Sequence, residues 1–541
     1  MNPFSSLNWL NRKQKAKRKK TPKMIMMQYQ NTDNTILVHY KDLLCNAVSG
    51  DPMLTIVDSR LQTVAYDLPA LDDKSSRAAA CLKGWGCEKG DRVLISARGT
   101  ISIWSFFWGA LKLGAIPSVL FPGLGAGGLE VRLRAAEACF FVTDTDPVKL
   151  SENVTFPKTL KKIILLGSSS ASSLFDNYSE EDTAPLNKYA ELRPEDDAFI
   201  VFTSGTTGIP KPVVHRHGIA DAIVRSMKNI LHAVPDDLYW CTAHPAWITG
   251  TIYGILGPLL CGIPSLQYDG SFHAKRWIPI LQDQKVSLWY TAPTALRGLM
   301  REEQSFFEGF DFSSLRQIYS IGEPLSEKVY GWGMQTFHQP IYDTWFQTEC
   351  GTIRIANQPG QPLRPGWMGR PVDDTVINLK ENNRLFLRSG FASMFTGYYG
   401  MPEATAQKTA DGYYDTGDLA EIDESGLLRF AGRADDVINT SGHLVGPLEV
   451  EQVLCAHPAV AAAAVVAVSD NLLYEAPAAF LVLKEGQEWN HQLETSLKVA
   501  VNNGVSSYAV PKHFTIIHEL PLTGSGKINR SALRTEYKME M

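Results

Sequence analysis

Between residues 203 and 211 the chain reads Thr-Ser-Gly-Thr-Thr-Gly-Ile-Pro-Lys, directly after the apolar run 198–202, which reads Ala-Phe-Ile-Val-Phe. The apolar run predicts a buried strand, and the small residues after it let backbone N–H groups crowd around an anion. Ser and Thr hydroxyls add donors, and Lys211 adds a positive charge. The loop is therefore suited to a polyphosphate. It is not a P-loop, because no Lys-Ser/Thr pair follows its second glycine.

Around this loop, short apolar runs alternate with helical patterns. We predict strands at 92–96, 140–143 and 162–166, with a helix at 101–113. Such alternation is typical of layered sheets with helices on their faces. At 541 residues the chain is also too long for a single core. The sequence therefore predicts a large α/β domain and at least one further domain.

A second domain is predicted after residue 433. There the pattern indicates a helix at 448–455 and a strand at 461–468, which together suggest a small, mobile α+β domain. We predict three parts: a basic, disordered tail over 1–27, a large domain over 28–433 and a small C-terminal domain over 434–541.

Composition is ordinary for a folded protein, with 44% hydrophobic and 20% charged residues. Between Arg12 and Lys23, eight of twelve residues are Lys or Arg, and the rest of the chain then carries a net charge of about −13. This balance argues against a nucleic-acid-binding body. The uncharged stretch 246–266 is rich in Gly and Pro, so it predicts a buried core segment and no membrane span.

Cysteine usage and the N-terminus bear on the cellular compartment. The eight cysteines form no C-x-x-C pair and no metal-binding spacing with histidine, which favours a reduced compartment. The N-terminus also lacks the pattern of a secretory signal. We therefore expect a cytoplasmic protein.

Four further motif regions follow the loop in the chain. They read Gly-Glu-Pro at 322–324, Asp-Thr-Trp-Phe-Gln-Thr-Glu at 343–349, Tyr-Asp-Thr-Gly-Asp at 414–418 with Gly-Arg-Ala-Asp-Asp at 432–436, and Leu-Pro-Leu-Thr-Gly-Ser-Gly-Lys-Ile-Asn-Arg at 520–530. In this order the motifs closely resemble those of the adenylate-forming (AMP-binding) superfamily. The resemblance spans roughly residues 40 to 541 and is closest to acetyl- and short-chain acyl-CoA synthetases.

The resemblance implies an ATP-dependent, two-step ligase. A small carboxylic acid would form an acyl-adenylate and pyrophosphate, and the acyl group would then pass to coenzyme A. Lys527 and Glu349 are the implied catalytic residues. A cation at Lys527 would offset the repulsion between the carboxylate and the phosphates, and Glu349 would support Mg²⁺ bound with ATP, since Mg²⁺ prefers hard carboxylate ligands.

The resemblance also assigns binding residues. The implied ATP and AMP site comprises Thr203, Ser204, Gly205, Thr206, Thr207, Gly208, Lys211, Gly322, Glu323, Pro324, Asp343, Thr344, Trp345, Phe346, Gln347, Thr348, Asp418 and Arg433. Coenzyme A would contact Thr249, Ser441, Gly442 and His443, and Asp435 would be the hinge about which the small domain rotates between the two steps.

The implied acyl pocket comprises Trp247, Ile248, Thr249, Ile321 and Phe346. Acetate-specific members usually have Val at the positions of Ile248 and Ile321, and Trp at that of Phe346. The exchanges partly cancel in volume, so acetate, propionate and somewhat longer acids all remain open. The chain departs from the family pattern at Ile209, Pro212 and Leu444, the last of which replaces a phosphate-contacting Arg.

Two other functions fit parts of the sequence. A ligase that loads the phosphopantetheine of an acyl carrier protein would use the same first step, and the absence of a carrier domain after Met541 only weakly favours free coenzyme A. A non-catalytic nucleotide- or acyl-binding protein is the other alternative. The presence of both Lys527 and Glu349 argues against it.

Overall fold

The computed structural model describes residues 34–46, 49–167, 174–204, 210–380, 383–436, 438–440, 443–470, 474–505, 507–523 and 527–540. The predicted tail and the Ser-rich stretch 168–173 lie outside these residues. The helices are α1 Ile36–Cys45, α2 Leu68–Gly84, α3 Thr100–Leu113, α4 Ala126–Ala135, α5 Pro147–Asn153, α6 Ala220–Asn229, α7 Gly257–Leu260, α8 Ala274–Asp283, α9 Pro293–Leu299, α10 Gln304–Phe307, α11 Glu327–Phe337, α12 Pro402–Lys408, α13 Pro447–Ala456, α14 His491–Gly504 and α15 Arg530–Glu540.

The strands alternate with these helices along the chain. They are β1 Pro52–Asp58, β2 Thr63–Asp67, β3 Arg92–Ser96, β4 Ile116–Val119, β5 Phe140–Thr143, β6 Lys162–Leu166, β7 Phe175–Tyr178, β8 Asp197–Ser204, β9 Pro210–Arg216, β10 Tyr239–Cys241, β11 Ser265–Asp269, β12 Leu288–Thr291, β13 Gln317–Ser320, β14 Ile341–Trp345, β15 Ile355–Ala356, β16 Arg370–Pro371, β17 Ile377–Lys380, β18 Arg384–Arg388, β19 Gly397–Tyr398, β20 Tyr413–Ile422, β21 Leu428–Arg433, β22 Ile438–Thr440, β23 His443–Val445, β24 Val460–Asp470, β25 Tyr474–Leu483 and β26 His513–Ile516.

Two sheets are built mainly from parallel strands. The first has nine strands in the order β16-β15-β14-β13-β12-β10-β11-β1-β2, and its middle strands from β14 to β1 are parallel. The second is fully parallel, in the order β4-β3-β5-β6-β7. Their strands are short, apolar and buried because helices cover both faces of such sheets. The predicted α/β class is confirmed.

Two smaller sheets are antiparallel. One has the order β19-β9-β8, and the other has the order β17-β18-β20-β21. The β8–β9 pairing extends from Asp197 opposite Arg216 to Ser204 opposite Pro210, with a register shift between Asp197 and Phe199, so residues 205–209 join the two strands. The loop singled out in the sequence therefore connects two paired strands.

The C-terminal residues form a sheet of their own. Its order is β23-β22-β25-β24, with β26 paired to β25. Val450 and Leu454 of α13 and Leu497 and Val501 of α14 are buried in one apolar cluster with this sheet. A large α/β part followed by a small α+β part agrees with the predicted fold class, whereas the boundary at 433–434 stays a prediction.

The uncharged stretch 246–266 lies in the core, as predicted. Residues Gly250–Leu256 form a π-helical segment that continues into α7, and every residue of both segments is buried. No helix among the described ranges combines the length and apolarity needed to cross a bilayer. All eight cysteines are free thiols.

Candidate active site

The site lies where parallel strands of the nine-stranded sheet end. Strands β12, β13 and β14 are neighbours with the same direction, so the residues that follow them meet at one edge of the sheet. Ile321 to Pro324 follow β13, and Phe346 to Glu349 follow β14. Chain segments that are far apart in sequence therefore converge because of the strand order.

Asp418 is the centre of a buried hydrogen-bond network. Arg433 Nη1 donates to its Oδ1 at 2.6 Å, and Trp345 Nε1 and Gln347 Nε2 donate to its Oδ2 at 3.0 and 2.8 Å. Tyr414 in turn donates its hydroxyl to Gln347 Oε1 at 2.6 Å. Burial raises the pKa of Asp418, and the positive charge of Arg433 opposes this shift. The structure thus joins four of the predicted nucleotide-site residues directly.

Glu349 is also buried, in the short 3₁₀ turn Thr348–Cys350. Its Oε1 accepts a hydrogen bond from the hydroxyl of Tyr398 at 2.7 Å, and its backbone carbonyl accepts one from Phe395 N at 2.8 Å. Within the described part of the chain no donor bonds to Oε2 of Glu349. A buried, oriented carboxylate with one uncommitted oxygen has the chemistry that a Mg²⁺ ligand needs.

The described residues contain no cluster of three His, Cys, Asp or Glu side chains that could hold a metal ion. A single carboxylate is nevertheless sufficient in sites where nucleotide phosphates and water supply the other ligands of Mg²⁺. The residues present are therefore compatible with Mg²⁺ that arrives with ATP.

Glu323 lies at the outer side of the same edge. Its carboxylate accepts hydrogen bonds from Arg297 and from the hydroxyl of Thr294, both in α9. Arg297 and Thr294 are themselves joined at 2.8 Å. Neither Arg297 nor Thr294 was predicted as a site residue.

Lys527 reaches this region from the C-terminal part of the chain. It lies in a narrow loop closed by the backbone pairing of Leu522 with Ile528 and by the bond from Thr523 N to the Lys527 carbonyl at 2.7 Å. The residue keeps exposed surface. Partial loss of hydration lowers the pKa of its ammonium, and the negative charges of Asp418 and Glu323 oppose that shift. Lys527 is thus placed within electrostatic reach of two predicted nucleotide-site carboxylates.

Four of the five predicted acyl-pocket residues are buried. Ile248, Ile321 and Phe346 belong to one apolar cluster and are 6%, 7% and 8% exposed. The ring of Phe346 packs edge-on against Tyr253 of the π-helical segment, with 5.6 Å between centroids. Thr249 is buried just before that segment, and Trp247 is half-buried against Phe121. Phe346 directly precedes Gln347 of the Asp418 network, so this part of the apolar core adjoins the predicted nucleotide site.

Several predicted residues are described only in part or not at all. Thr203 lies opposite Lys211 in the β8–β9 pairing, and Lys211 Nζ lies 5.1 Å from the ring centroid of Tyr398. Thr344 donates its hydroxyl to Ser320 O at 2.6 Å, and Asp343 is buried. The predictions for Gly205, Thr206, Thr207, Gly208, Ser441 and Gly442, and for the side chains of Ser204, Asp435 and His443, lie outside what the structure describes.

Two hydrogen-bonding partners of the predicted site residues became evident only in the structure. Tyr398 bonds to Glu349, and a ring nitrogen of buried His215 lies 2.8 Å from the Thr348 carbonyl. Burial lowers the pKa of His215 to about 4, so the ring is neutral at physiological pH. Neither residue is singled out by spacing, because their partners lie 49 and 133 positions away.

Comparison with known proteins places the chain in a family. The protein-family model for AMP-binding enzymes matches residues 51–407, and the family model for the AMP-binding enzyme C-terminal domain matches residues 449–527. The acetyl-coenzyme A synthetase of Bacillus subtilis (strain 168) is 35% identical over 488 residues, which covers 87% of this chain and 84% of that protein.

Solved structures agree with the sequence comparison. An acyl-CoA synthetase of Brucella canis shares 29% identity with a TM-score of 0.71, over 94% of this chain and 96% of that one. The anthranilate CoA ligase AuaEII, solved with anthranoyl-AMP, shares the fold with a TM-score of 0.82 at 24% identity, over 94% and 98% of the two chains. The chain therefore belongs to the AMP-binding enzyme family, as an AMP-forming acyl-CoA synthetase.

Proposed function

We propose that the protein activates a carboxylic acid of two to four carbons with ATP and transfers the acyl group to coenzyme A. The observation that carries the size of the acid is the near-complete burial of Ile248, Ile321 and Phe346 in the apolar core, with the ring of Phe346 packed against Tyr253. A pocket closed by three well-packed apolar side chains leaves little room for a long chain. The name of the Bacillus subtilis relative, acetyl-coenzyme A synthetase, supports a short acid.

The pocket walls do not favour acetate alone. Phe346 is smaller than the Trp typical of acetate-specific members, whereas each Ile adds one methylene over the usual Val. Each methylene in contact with substrate is worth about 0.8 kcal/mol. Propionate or butyrate is therefore accommodated as readily as acetate by this set of side chains.

In the proposed first step, Asp418 receives the ribose hydroxyl groups, and residues 203–211 surround the phosphates. Asp418 already accepts three hydrogen bonds from described residues and keeps further lone pairs for a ligand. Gly322 to Pro324 and Asp343 to Thr348 enclose the adenine and α-phosphate side of the nucleotide. The position of these segments at one sheet edge supports this assignment.

Lys527 is the proposed catalytic cation. Attack of a carboxylate on the α-phosphate brings two anions together, so a positive charge between them stabilises the transition state. Its closeness to Asp418 and Glu323 supports this role. Mg²⁺, bound with ATP and supported by Glu349, supplies further charge neutralisation on the phosphates.

In the proposed second step the small domain rotates at Asp435, and coenzyme A enters along Thr249 and residues 441–443. Thr249 is buried beside the apolar cluster, which supports a position where the thiol meets the acyl group. The first experiment measures AMP release with ATP and Mg²⁺ for straight-chain acids from acetate to octanoate, each with and without coenzyme A. We expect a coenzyme-A-dependent optimum at two to four carbons.

A variant pair tests the acyl wall in the same assay. Phe346→Ala enlarges the pocket, so the optimum shifts to longer acids, whereas Phe310→Ala removes a ring in a different apolar cluster and leaves the optimum unchanged. An optimum at octanoate in the unaltered protein contradicts the proposed size. Pyrophosphate exchange that coenzyme A cannot turn over identifies a carrier-protein ligase instead.

A further inference from the structure

Tyr398 touches two groups that flank the proposed triphosphate site. Strand β19 pairs with β9, which sets Tyr398 opposite Val213 near the start of that strand. From there its hydroxyl donates to Glu349 Oε1 at 2.7 Å, while Lys211 Nζ lies 5.1 Å from its ring centroid. One buried side chain therefore contacts both the proposed Mg²⁺-supporting carboxylate and the lysine of the phosphate loop.

The same short segment holds the backbone of Glu349. Phe395 N donates to the Glu349 carbonyl at 2.8 Å, and the ring of Phe395 packs edge-on against that of Tyr398 at 5.1 Å. The amide of Tyr398 donates to Thr405 Oγ1 at 2.9 Å, which fixes the segment on α12. Glu349 is thus held at its backbone and at its carboxylate by residues 395–398.

The hydroxyl of Tyr398 acts only as a donor toward Glu349. A phenol keeps its proton at neutral pH, and an ionised carboxylate only accepts, so the Tyr398 hydroxyl is the donor in this contact. A hydrogen bond from a neutral donor to a buried carboxylate restricts the rotamer of that carboxylate and directs its second oxygen. The attraction between Lys211 and the face of the ring adds a second constraint.

We propose that Tyr398 is a positioning residue for adenylate formation, one that sets the spacing between the Glu349 carboxylate and the Lys211 ammonium. This inference rests on the proposed function, because it assigns both partners to the triphosphate. Tyr398 acts through these partners and does not itself touch the reacting atoms. Thioester formation from a completed adenylate has no triphosphate to hold, so that step does not require the spacing.

The adjacent Tyr399 provides a matched control. Its hydroxyl donates to Glu137 Oε2 at 3.1 Å on the exposed side of the molecule, away from Glu349. The variants Tyr398→Phe and Tyr399→Phe each remove one hydroxyl from neighbouring residues of one segment. A third variant, Tyr398→Leu, also removes the ring face beneath Lys211.

The experiment measures three quantities for each variant of the full chain, together with its melting temperature. The quantities are ATP–pyrophosphate exchange with the preferred acid, the Mg²⁺ concentration for half-maximal exchange, and thioester formation from synthetic acyl-adenylate and coenzyme A. For Tyr398→Phe we expect kcat/KM for ATP to fall at least about tenfold and the Mg²⁺ requirement to rise several-fold. Thioester formation stays unchanged, and Tyr398→Leu loses more exchange activity.

Two results would overturn the positioning role. Exchange by Tyr398→Phe equal to that of Tyr399→Phe shows that the hydroxyl is unnecessary. Equal loss of both half-reactions shows that Tyr398 supports only the fold. Failure of the unaltered protein to exchange pyrophosphate with any acid contradicts the proposed function itself, which separates that failure from failure of this inference.

Discussion

Asp343 lies within β14 and is only 5% exposed, so its carboxyl group is buried. Burial raises its pKa to about 8, although hydrogen bonds from the backbone of Leu325 and Thr344 act in the opposite direction. Between about pH 4 and pH 8 the folded protein therefore holds a proton that the unfolded chain has released. This group makes the protein less stable as the pH rises through that range.

Replacing Asp343 by Asn removes this penalty, because an amide stays neutral at every pH. We expect the stability of Asp343→Asn relative to the unaltered protein to increase from pH 4 to pH 8, by at most about 1.4 kcal/mol per pH unit. Thermal denaturation of both proteins across this range measures the difference. The exposed Asp283→Asn is the control, and a difference for Asp343→Asn that does not vary with pH contradicts the prediction.

At the scale of single residues, the sequence predicted the site residues that belong to short local motifs. The motif residues Trp345, Gln347, Asp418 and Arg433 form one network in the structure. Supporting residues were not predictable in this way. Tyr398 is one aromatic residue among many, and nothing local to it indicates that a strand pairing with β9 will bring its hydroxyl to a glutamate 49 positions away.

At the scale of elements, the turn Thr348–Cys350 that carries Glu349 depends on the glycine after it. Gly351 has φ 73°, and a Cβ there would lie 2.4 Å from the Ser393 carbonyl oxygen and 3.1 Å from His215 Cε1. A side chain at this position thus meets backbone as well as an unfavourable φ. The turn cannot relax without moving Glu349.

Gly351→Ala is expected to destabilise the protein by about 2–4 kcal/mol and to reduce pyrophosphate exchange. Gly360→Ala is the matched control, because Gly360 has a similar φ of 77° but nothing within 4 Å of the added Cβ. The control should show only the conformational cost, about 1–2 kcal/mol. Equal shifts in melting temperature for the two variants contradict the importance of the close contact.

Elements with strong local patterns were predicted well. The strands at 92–96, 140–143 and 162–166 have the predicted bounds, and the predicted helix at 101–113 begins one residue earlier, at Thr100. A strand buried between helices on both faces is apolar along its whole length, so a continuous apolar run in the sequence indicates it directly. The π-helical segment Gly250–Leu256 was not predicted. Its backbone conformation depends on how the surrounding core is packed, and no periodic pattern in the local sequence indicates a π-helix.

At the scale of the whole molecule, the loop of Lys527 is tied to the chain segment next to the proposed hinge. Arg530 donates to buried Glu451 at 2.5 Å, and its guanidinium lies 3.9 Å from Asp436. Arg534 also bonds to Asp436, at 3.1 Å. Asp436 follows the proposed hinge residue Asp435, and Glu451 lies in α13. Because α15 is linked to residues on the C-terminal side of that hinge, rotation there would carry the Lys527 loop as one piece with the C-terminal sheet.

If the small domain rotates in this way, the two half-reactions require different residues. Lys527→Ala removes the cation near Asp418 and Glu323, so we expect pyrophosphate exchange to fall at least about a hundredfold. Thioester formation from synthetic acyl-adenylate should be retained, because a rotated small domain would present residues 441–443 in place of Lys527. Lys498→Ala, which removes a surface ion pair with Glu494 and a distant contact with the ring of Phe514, is the control for general effects of losing a lysine. If Lys527→Ala slows both half-reactions to the same extent, a single fixed arrangement serves both steps, and the hinge at Asp435 has no catalytic role.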